Sequence, residues 1–292
     1  MMKWVYRSLL PVLFSMLAVC SWAQTGHALL IGIGDYPDGS GWNKIHGNND
    51  IRIVDQALKR QGFISSNIIQ LIDSQATKSN ILKAFGSLSE QCSSGDIVYI
   101  HFSGHGQQVT DIDGDEQDGF DESWIPYDAR KKYIPDDYIG QNHLIDDELN
   151  TILKGLRTRV GSQGKIIVIA DACHSGSGSR SLQDDEVFVR GTSEAFVIPQ
   201  ATSPSEKKKA ESVDWLFVAA CKSYQSNYEY RTPDGNYYGI LSYIIAADSK
   251  QFSTSKYTDI IKGWDENVSL YSRYPQNIDN EGQPNRRNSL LF

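Results

Sequence analysis

Two short polar segments, each containing glycine, follow apolar runs that are typical of buried strands. Ser103-Gly104-His105-Gly106 follows the run 96–102, and Asp171-Ala172-Cys173-His174-Ser175-Gly176 follows the run 165–170. Residues just beyond the carboxyl ends of parallel strands converge on one crevice, so His105 and Cys173 are expected to meet. An imidazole that removes the proton of a neighbouring thiol makes the sulfur a nucleophile near neutral pH. The pair predicts nucleophilic catalysis by Cys173, with His105 as its general base.

The glycines beside this pair allow backbone amides to approach a substrate closely. The amides of Gly106 and Cys173 are therefore the predicted donors of an oxyanion hole. A structural alternative remains open, in which Cys173 is a small buried apolar side chain and His105 an ordinary loop histidine. Zinc binding is disfavoured, because the chain lacks the Cys-x-x-Cys spacing typical of a four-ligand site.

The composition of the 292-residue chain is that of a globular protein, with 40% hydrophobic and 22% charged residues. Its formal net charge of −8 argues against a nucleic-acid partner, since binding to phosphates requires the opposite sign. At this length we expect a single α/β domain.

Residues 1–23 have the features of a secretory signal peptide. Lys3 and Arg7 precede an apolar run, and Ser21-Trp22-Ala23 offers small residues at a cleavage site after Ala23. We favour cleavage over lipid attachment at Cys20, and over a retained anchor, because the apolar run is too short to span a membrane comfortably. The mature chain is then predicted to be periplasmic or secreted, with no membrane association.

Cleavage would leave three cysteines, Cys92, Cys173 and Cys221. An odd number in an exported protein does not fit a framework of disulfides. It indicates a thiol that is kept reduced for use.

Strand-like and helix-like segments alternate in the first part of the chain. The predicted strands are 27–33, 68–72, 96–102 and 165–170, and the predicted helices are 49–61, 77–91 and 146–159. This alternation predicts a mostly parallel sheet with helices on both faces.

A change of composition then divides the chain. Residues 177–212 are rich in Ser, Asp, Glu and Lys, and predict an exposed linker. The linker joins a large segment, 24–176, to a small segment, 213–292. In the small segment we expect a strand at 215–220 and helices at about 238–247 and 254–270.

A third cluster is acidic, with seven carboxylates between residues 111 and 122. Alternating carboxylates around glycine are typical of loops that bind calcium. An EF-hand is disfavoured because Glu116 occupies the position that requires glycine and no helices flank the segment. A solvated acidic loop is the alternative.

These motifs resemble those of caspase-family peptidases of the metacaspase type. The resemblance runs from about residue 27 to the C-terminus, and it also includes Gly47-Asn48-Asn49-Asp50 and the segment 216–225, Leu-Phe-Val-Ala-Ala-Cys-Lys-Ser-Tyr-Gln. It implies a caspase-like (caspase-hemoglobinase) three-layer sandwich and a His105–Cys173 dyad. It also implies peptide or protein substrates, and chemistry that requires no cofactor.

The residue two positions before Cys173 bears on specificity. Caspases that cut after aspartate have Gln there, whereas this chain has Asp171, and an acid beside the nucleophile favours a basic residue before the cleaved bond. The resemblance implies that Asp50, Ser103 and Asp171 line a pocket for Arg or Lys. Without the resemblance, the alternative for Asp50 is a helix cap or an acid in a helix's first turn. The linker contains basic residues, so we expect self-cleavage there, at Arg180, Arg190, Lys207, Lys208 or Lys209.

Calcium activation is a further implication of the resemblance, through Asp121, Asp146 and Asp147 as metal ligands. A fourth acid of the family pattern is replaced by Arg180, which leaves calcium and the solvated loop as open alternatives. The predicted function is an exported cysteine endopeptidase that cleaves after Arg or Lys. The competing hypotheses are a catalytically silent caspase-like binding module and a cysteine hydrolase that acts on non-peptide amides.

Overall fold

A computed structural model describes residues 24–114, 116, 118–174, 187–199, 214–282 and 289–292. Its strands within these ranges are β1 (Gly26–Gly32), β2 (Ile68–Ile72), β3 (Ile97–Ser103), β4 (Gly106–Thr110), β5 (Phe120–Trp124), β6 (Leu144–Ile145), β7 (Lys165–Asp171), β8 (Leu216–Ala219), β9 (Glu229–Arg231), β10 (Tyr237–Gly239) and β11 (Asp279–Glu281). Its α-helices are α1 (Gly47–Arg60), α2 (Lys78–Gln91), α3 (Asp146–Val160), α4 (Ile240–Asp248) and α5 (Tyr257–Tyr271). The predicted signal peptide, residues 1–23, lies outside the described residues.

A six-stranded sheet forms the centre of the fold, with the strand order β11-β8-β7-β3-β1-β2. The strands β2, β1, β3, β7 and β8 are parallel, and β11 pairs antiparallel to β8 at the edge. The central strands are continuous apolar runs because both of their faces are covered. The predicted α/β fold with a mostly parallel sheet and helices on both faces is confirmed.

Alternating side chains of the central strands pack into two cores, one on each face of the sheet. Ala28 and Leu30 of β1 pack with the helices α1, α4 and α5. Leu29 and Ile31 of the same strand pack on the opposite face, with α2 and α3. The result is a three-layer arrangement in which the carboxyl ends of the parallel strands remain at one edge.

Two small antiparallel units stand near this edge of the central sheet. One is the three-stranded sheet β4-β5-β6, and the other is the hairpin of β9 and β10. Both were absent from the predicted elements. The described residues of the acidic segment lie between β4 and β5 and in the first residues of β5, so the segment connects the two strands of this hairpin. None of the helices in the described part of the chain is long and apolar enough to cross a membrane.

Candidate active site

The register of β3 and β7 brings the two predicted catalytic segments together. Ser103, the last residue of β3, pairs with Asp171, the last residue of β7. His105 and Cys173 each follow two residues later, and both are buried. An added Cβ on Gly106 would lie 2.7 Å from the carbonyl oxygen of Cys173, so only glycine allows the two segments to approach this closely.

The His105 ring is held by a backbone carbonyl and by two aromatic rings. Nε2 donates to the carbonyl oxygen of Asn43 at 2.8 Å, so in the neutral ring Nδ1 is the nitrogen that can accept a proton. The Trp42 ring stacks on the imidazole with centroids 4.9 Å apart, and the Tyr36 ring lies 5.0 Å away. Burial lowers the pKa of His105 to about 4, so the ring is neutral at physiological pH.

The Cys173 side chain lies beside a second cysteine. The Cys221 thiol donates to the Cys173 sulfur, with 3.0 Å between the two Sγ atoms. Cys173 Sγ in turn donates to the carbonyl oxygen of Gln225 at 2.8 Å. The contact with Cys173, together with burial, raises the pKa of Cys221 well above its ordinary value, so Cys221 remains a protonated donor.

A piece of the linker lies across the strand ends in an extended conformation. The Arg190 amide donates to Asn227 O at 2.9 Å, and the Glu229 amide donates to Phe188 O at 3.1 Å. Val189 forms an antiparallel bridge with Tyr228. The Cys173 amide donates to Arg190 O at 2.7 Å. The linker therefore pairs with the domain as an added strand, which is a common way to bind an extended peptide.

The predicted exposure of the linker is wrong for this piece, because Arg190 is fully buried. Its Nη1 donates to Asp50 Oδ2 and to Ser103 Oγ, each at 2.6 Å, and lies 3.5 Å from Asp171 Oδ1. On the other side of the guanidinium, Nε donates to Glu229 Oε1 at 3.0 Å. Burial of an arginine is tolerated only with such compensation, and here three carboxylates provide it.

The three residues predicted to line the basic pocket, Asp50, Ser103 and Asp171, all surround Arg190. Burial raises the pKa of Asp50 to about 7, although Arg190 opposes this shift. Burial also acts to raise the pKa of Asp171, but Arg190, Asn227 and Ser242 outweigh it and hold this pKa below its ordinary value. Without a cation, these acids would repel one another in a region closed to solvent, so the pocket favours a positively charged side chain.

Two further residues of this pocket were not predicted from the sequence. Glu229 is a buried acid whose pKa is lowered by Arg190 and His46 in spite of burial. Gly239 leaves space for the arginine, because an added Cβ would collide with Asp171 and with Arg190 Nη1. The signal that could have revealed Glu229 is its position four residues after the segment 216–225, which ends at Gln225.

The Gly106 amide, a predicted oxyanion donor, lies at the start of β4. Main-chain groups of Gln108 and Thr110 bond to Phe196 of the linker, with Phe196 N donating to Gln108 O at 2.7 Å. Residues two apart on a strand direct their main-chain groups to the same side, so the Gly106 amide also faces the linker. The roles of Gly106, Cys173 and His105 in catalysis stay predictions.

The acidic segment contributes to a group of carboxylates that differs from the predicted calcium ligands. Oxygens of Glu116, Glu122 and Asp146 lie within 4.8 Å of one another. Asp121 alternates with Glu122 along β5 and so points to the other side of the strand, and Asp147 follows Asp146 on α3. Neither belongs to this group. Burial raises the pKa of Asp146 to about 8, and repulsion from Glu122, and then from Asp121 and Asp147, adds to this shift. Burial also raises the pKa of Glu122 to about 7.

A parallel α/β sheet with a thiol and an imidazole at neighbouring strand ends defines the class, an α/β domain with the site of a cysteine hydrolase. A model of the family described as "Metacaspase, peptidase C14 domain" matches residues 27–180, more than half of the chain. The chain therefore belongs to the metacaspase family, which confirms the resemblance and the caspase-like fold.

Curated relatives agree with this assignment. Metacaspase-1A of Aspergillus fumigatus is 36% identical over 137 residues, 44% of this chain and 30% of that protein. Metacaspase-1 of Eremothecium gossypii is 35% identical over 159 residues, 51% of this chain and 32% of that protein. The chain thus matches about a third of the length of these relatives. The crystal structure of protein GSU0716 from Geobacter sulfurreducens has a TM-score of 0.58 and 23% identity, covering 89% of this chain and 94% of that one. It supports the fold.

Proposed function

We propose that this protein is a cysteine endopeptidase that cleaves peptide bonds after arginine, and after lysine less efficiently. The observation that carries the proposal is the position of Arg190. Its side chain fills a pocket of three carboxylates, while its carbonyl oxygen accepts a hydrogen bond from the Cys173 amide. A substrate residue before a cleaved bond makes this pair of contacts in a peptidase.

In the proposed mechanism, His105 takes the Cys173 proton at Nδ1 and the sulfur attacks the carbonyl carbon of the arginine. The thiol first leaves the Gln225 carbonyl, to which it donates in the present arrangement. Amides of Cys173 and Gly106 stabilise the oxyanion, and His105 then protonates the leaving amine. Water attacks the acyl-enzyme in the second half of the reaction, with His105 again as base, and releases the acid product and the thiol.

Arginine is favoured over lysine because the pocket has acids on two sides of the guanidinium. Asp50 and Asp171 lie at Nη1, and Glu229 lies at Nε. The planar fork of arginine reaches both sides at once, whereas the single ammonium of lysine satisfies only one.

The same geometry makes Arg190–Gly191 the bond that we propose for self-cleavage. The linker is held in place as an intramolecular substrate, so cleavage would also open the pocket to other peptides. The other predicted sites, Arg180, Lys207, Lys208 and Lys209, lie outside the described residues and stay predictions.

Calcium stimulation is part of the proposal, with Glu116, Glu122 and Asp146 as the ligands. Oxygen donors this close suit calcium, and a divalent cation would offset the burial and the repulsion that raise the pKa of Asp146. Measuring peptide cleavage with chelator and with added calcium tests this, for Asp146→Asn and for Asp38→Asn as an exposed control. Equal rates in wild type under both conditions would refute calcium stimulation.

Export through the signal peptide stays a prediction, which N-terminal sequencing of the secreted chain would test.

The test of the proposed activity is turnover of short fluorogenic peptides that end in Arg, Lys or Asp. We expect the wild-type chain to cleave the Arg peptide fastest and the Asp peptide not at all, and Cys173→Ala to cleave none. A thiol-alkylating electrophile with an arginine side chain should label wild type but not Cys173→Ala. A folded wild-type chain that neither cleaves itself, nor turns over peptides, nor takes up this label would instead be a silent binding module.

A further inference from the structure

A second side chain of the docked linker, Phe188, rests against two rings of the domain. The Phe188 ring meets His46 edge-on, with centroids 4.6 Å apart at 89°, and Tyr237 with centroids 5.0 Å apart at 74°. The His46 and Tyr237 rings stack on each other at 4.8 Å. We propose that His46 and Tyr237, here called the aromatic clamp, form a binding site for an aromatic side chain two residues before the cleaved arginine.

The backbone pairing places Phe188 where a substrate residue would lie. Hydrogen bonds to Asn227 and Glu229 fix Arg190 and Phe188, and Val189 lies between them. Side chains two residues apart on an extended strand point to the same side, so the side that presents the arginine to its pocket also presents Phe188 to the clamp. A peptide substrate that pairs with residues 227–229 in this way meets both sites together.

Hydrogen bonds hold the clamp in place and connect it to the arginine pocket. His46 donates to Glu229 through its backbone amide at 2.7 Å, and its Nδ1 lies 2.6 Å from the second carboxylate oxygen. Glu229 in turn accepts from Arg190 Nε. The Tyr237 carbonyl accepts from Asn49 Nδ2 at 3.0 Å, and Arg231 lies over the Tyr237 ring. A site that is already formed binds its ligand with little loss of conformational freedom.

The chemistry of the clamp selects for aromatic rings. Aromatic rings pack favourably at steep angles, because the positive edge of one ring then meets the negative face of the other, and Phe188 meets both His46 and Tyr237 at such angles. An alanine makes none of these contacts. A leucine gains burial but lacks the edge-to-face contact, so we expect the order Phe, Leu, Ala in substrates.

This inference rests on the proposed function, and the test separates the two. Acetylated Phe-Val-Arg, Leu-Val-Arg and Ala-Val-Arg aminomethylcoumarin peptides are compared as substrates of the wild-type protein after its self-cleavage is complete, because Arg190 and Phe188 occupy both sites in the uncleaved chain. We expect kcat/KM for Phe-Val-Arg to exceed that for Ala-Val-Arg by about tenfold, the gain typical of aromatic packing plus burial. Equal kcat/KM for the Phe and Ala peptides would overturn the clamp while leaving arginine-specific cleavage intact. Failure to hydrolyse any of the three would overturn the proposed function, and the clamp with it.

Variants of the clamp test whether its rings cause the preference for Phe over Ala in the substrate. Tyr237→Ala should reduce the Phe/Ala ratio to about twofold or less, because it removes a ring and keeps the His46–Glu229 contact. Tyr237→Phe should restore the ratio. Tyr224→Ala removes a tyrosine that is 78% exposed and should keep the wild-type ratio. A wild-type ratio in Tyr237→Ala would show that another surface selects the aromatic residue and would overturn the assignment to the clamp. If Tyr237→Ala does not fold, the wild-type ratio and Tyr237→Phe still decide the question.

Discussion

The backbone amide of Cys173 donates a 2.7 Å hydrogen bond to the carbonyl oxygen of Arg190. A residue of the linker thereby contacts the predicted nucleophile through its carbonyl, while its guanidinium lies among carboxylates at the ends of β3 and β7. The two contacts hold one peptide bond, Arg190–Gly191, against the backbone of Cys173, where an added Cβ on Gly191 would collide with the Cys173 carbonyl oxygen. The linker therefore has the geometry of a bound substrate.

Glu229→Gln should weaken the choice of arginine over lysine. The carboxylate accepts from Arg190 Nε, and its loss leaves this side of the guanidinium without a charged partner. Truncating one partner of a buried charge pair typically costs about 2–5 kcal/mol, so kcat/KM for Arg peptides should fall by about 100-fold. The kcat/KM for Lys peptides should fall less, so the ratio of kcat/KM for Arg peptides to that for Lys peptides should decrease about tenfold. Asp234→Asn, on the turn of the same hairpin, should keep the wild-type ratio, and an unchanged ratio in Glu229→Gln would exclude Glu229 as a determinant.

Gly191→Ala should slow self-cleavage. An added Cβ at this position would collide with the carbonyl oxygen of Cys173, so the linker would have to move away from the nucleophile. A displacement of about 1 Å can cost about 100-fold in rate. The rate is measured by gel densitometry over time, with Gly155→Ala as the control, because no atom lies within 4 Å of an added Cβ there. A wild-type rate of self-cleavage in Gly191→Ala would mean that the linker is not cleaved in the position in which Arg190 O accepts from the Cys173 amide.

Cys221→Ala should move the acidic limb of the pH–rate profile to higher pH. The Cys221 thiol donates to Cys173 Sγ and would stabilise negative charge on that sulfur. A hydrogen bond is worth about 1 kcal/mol, so we expect a shift of about 0.5–1 pH unit, with activity recovered at alkaline pH. Cys92→Ala removes a thiol in the core beside α2 and should leave the limb in place. Identical limbs in wild type and Cys221→Ala would show that this contact does not stabilise the reactive sulfur.

Acid should destabilise the fold through its buried histidines, and His143 isolates one contribution. Burial lowers the pKa of His143 to about 4, from an ordinary value near 6.5. The stabilisation from its neutral ring is therefore complete above about pH 6.5 and is lost as the pH falls towards 4. His143→Gln should reduce the loss of unfolding free energy over this range by up to about 3 kcal/mol. Urea unfolding of wild type and His143→Gln at several pH values between 4 and 7 measures this dependence of the unfolding free energy on pH.

The control for this experiment is Leu153→Ala, a core substitution that lowers stability without removing a titrating group. It should show the wild-type dependence on pH. A His143→Gln dependence as steep as that of wild type would contradict the stated role of the buried ring.

The central elements of the fold could be predicted because their physical signal is local. The strands β1, β3 and β7 are covered on both faces, and the predicted bounds of each lie within one residue of the observed ones. The strands β4 and β5 were missed because their sequences, Gly-Gln-Gln-Val-Thr and Phe-Asp-Glu-Ser-Trp, are largely polar. The three-residue strands β9 and β10 are too short for a periodic pattern to be detected.

The site could be predicted only where residues adjoin a strand end or a family motif. His105, Cys173, Ser103 and Asp171 follow or end β3 and β7, so strand topology alone brings them together. The burial of Arg190 could not be predicted, because a polar linker composition indicates exposure. That burial depends on acids at positions 50, 171 and 229, which only the folded chain brings together.

The most direct test of this account is the site of self-cleavage in the purified full-length chain. Intact mass and N-terminal sequencing should identify a fragment that begins at Gly191. This fragment should be absent from Cys173→Ala and from Arg190→Gln, each checked for folding by circular dichroism. A wild-type chain that stays whole while it cleaves Arg peptides, or one that is cut elsewhere and not after Arg190, would contradict the account.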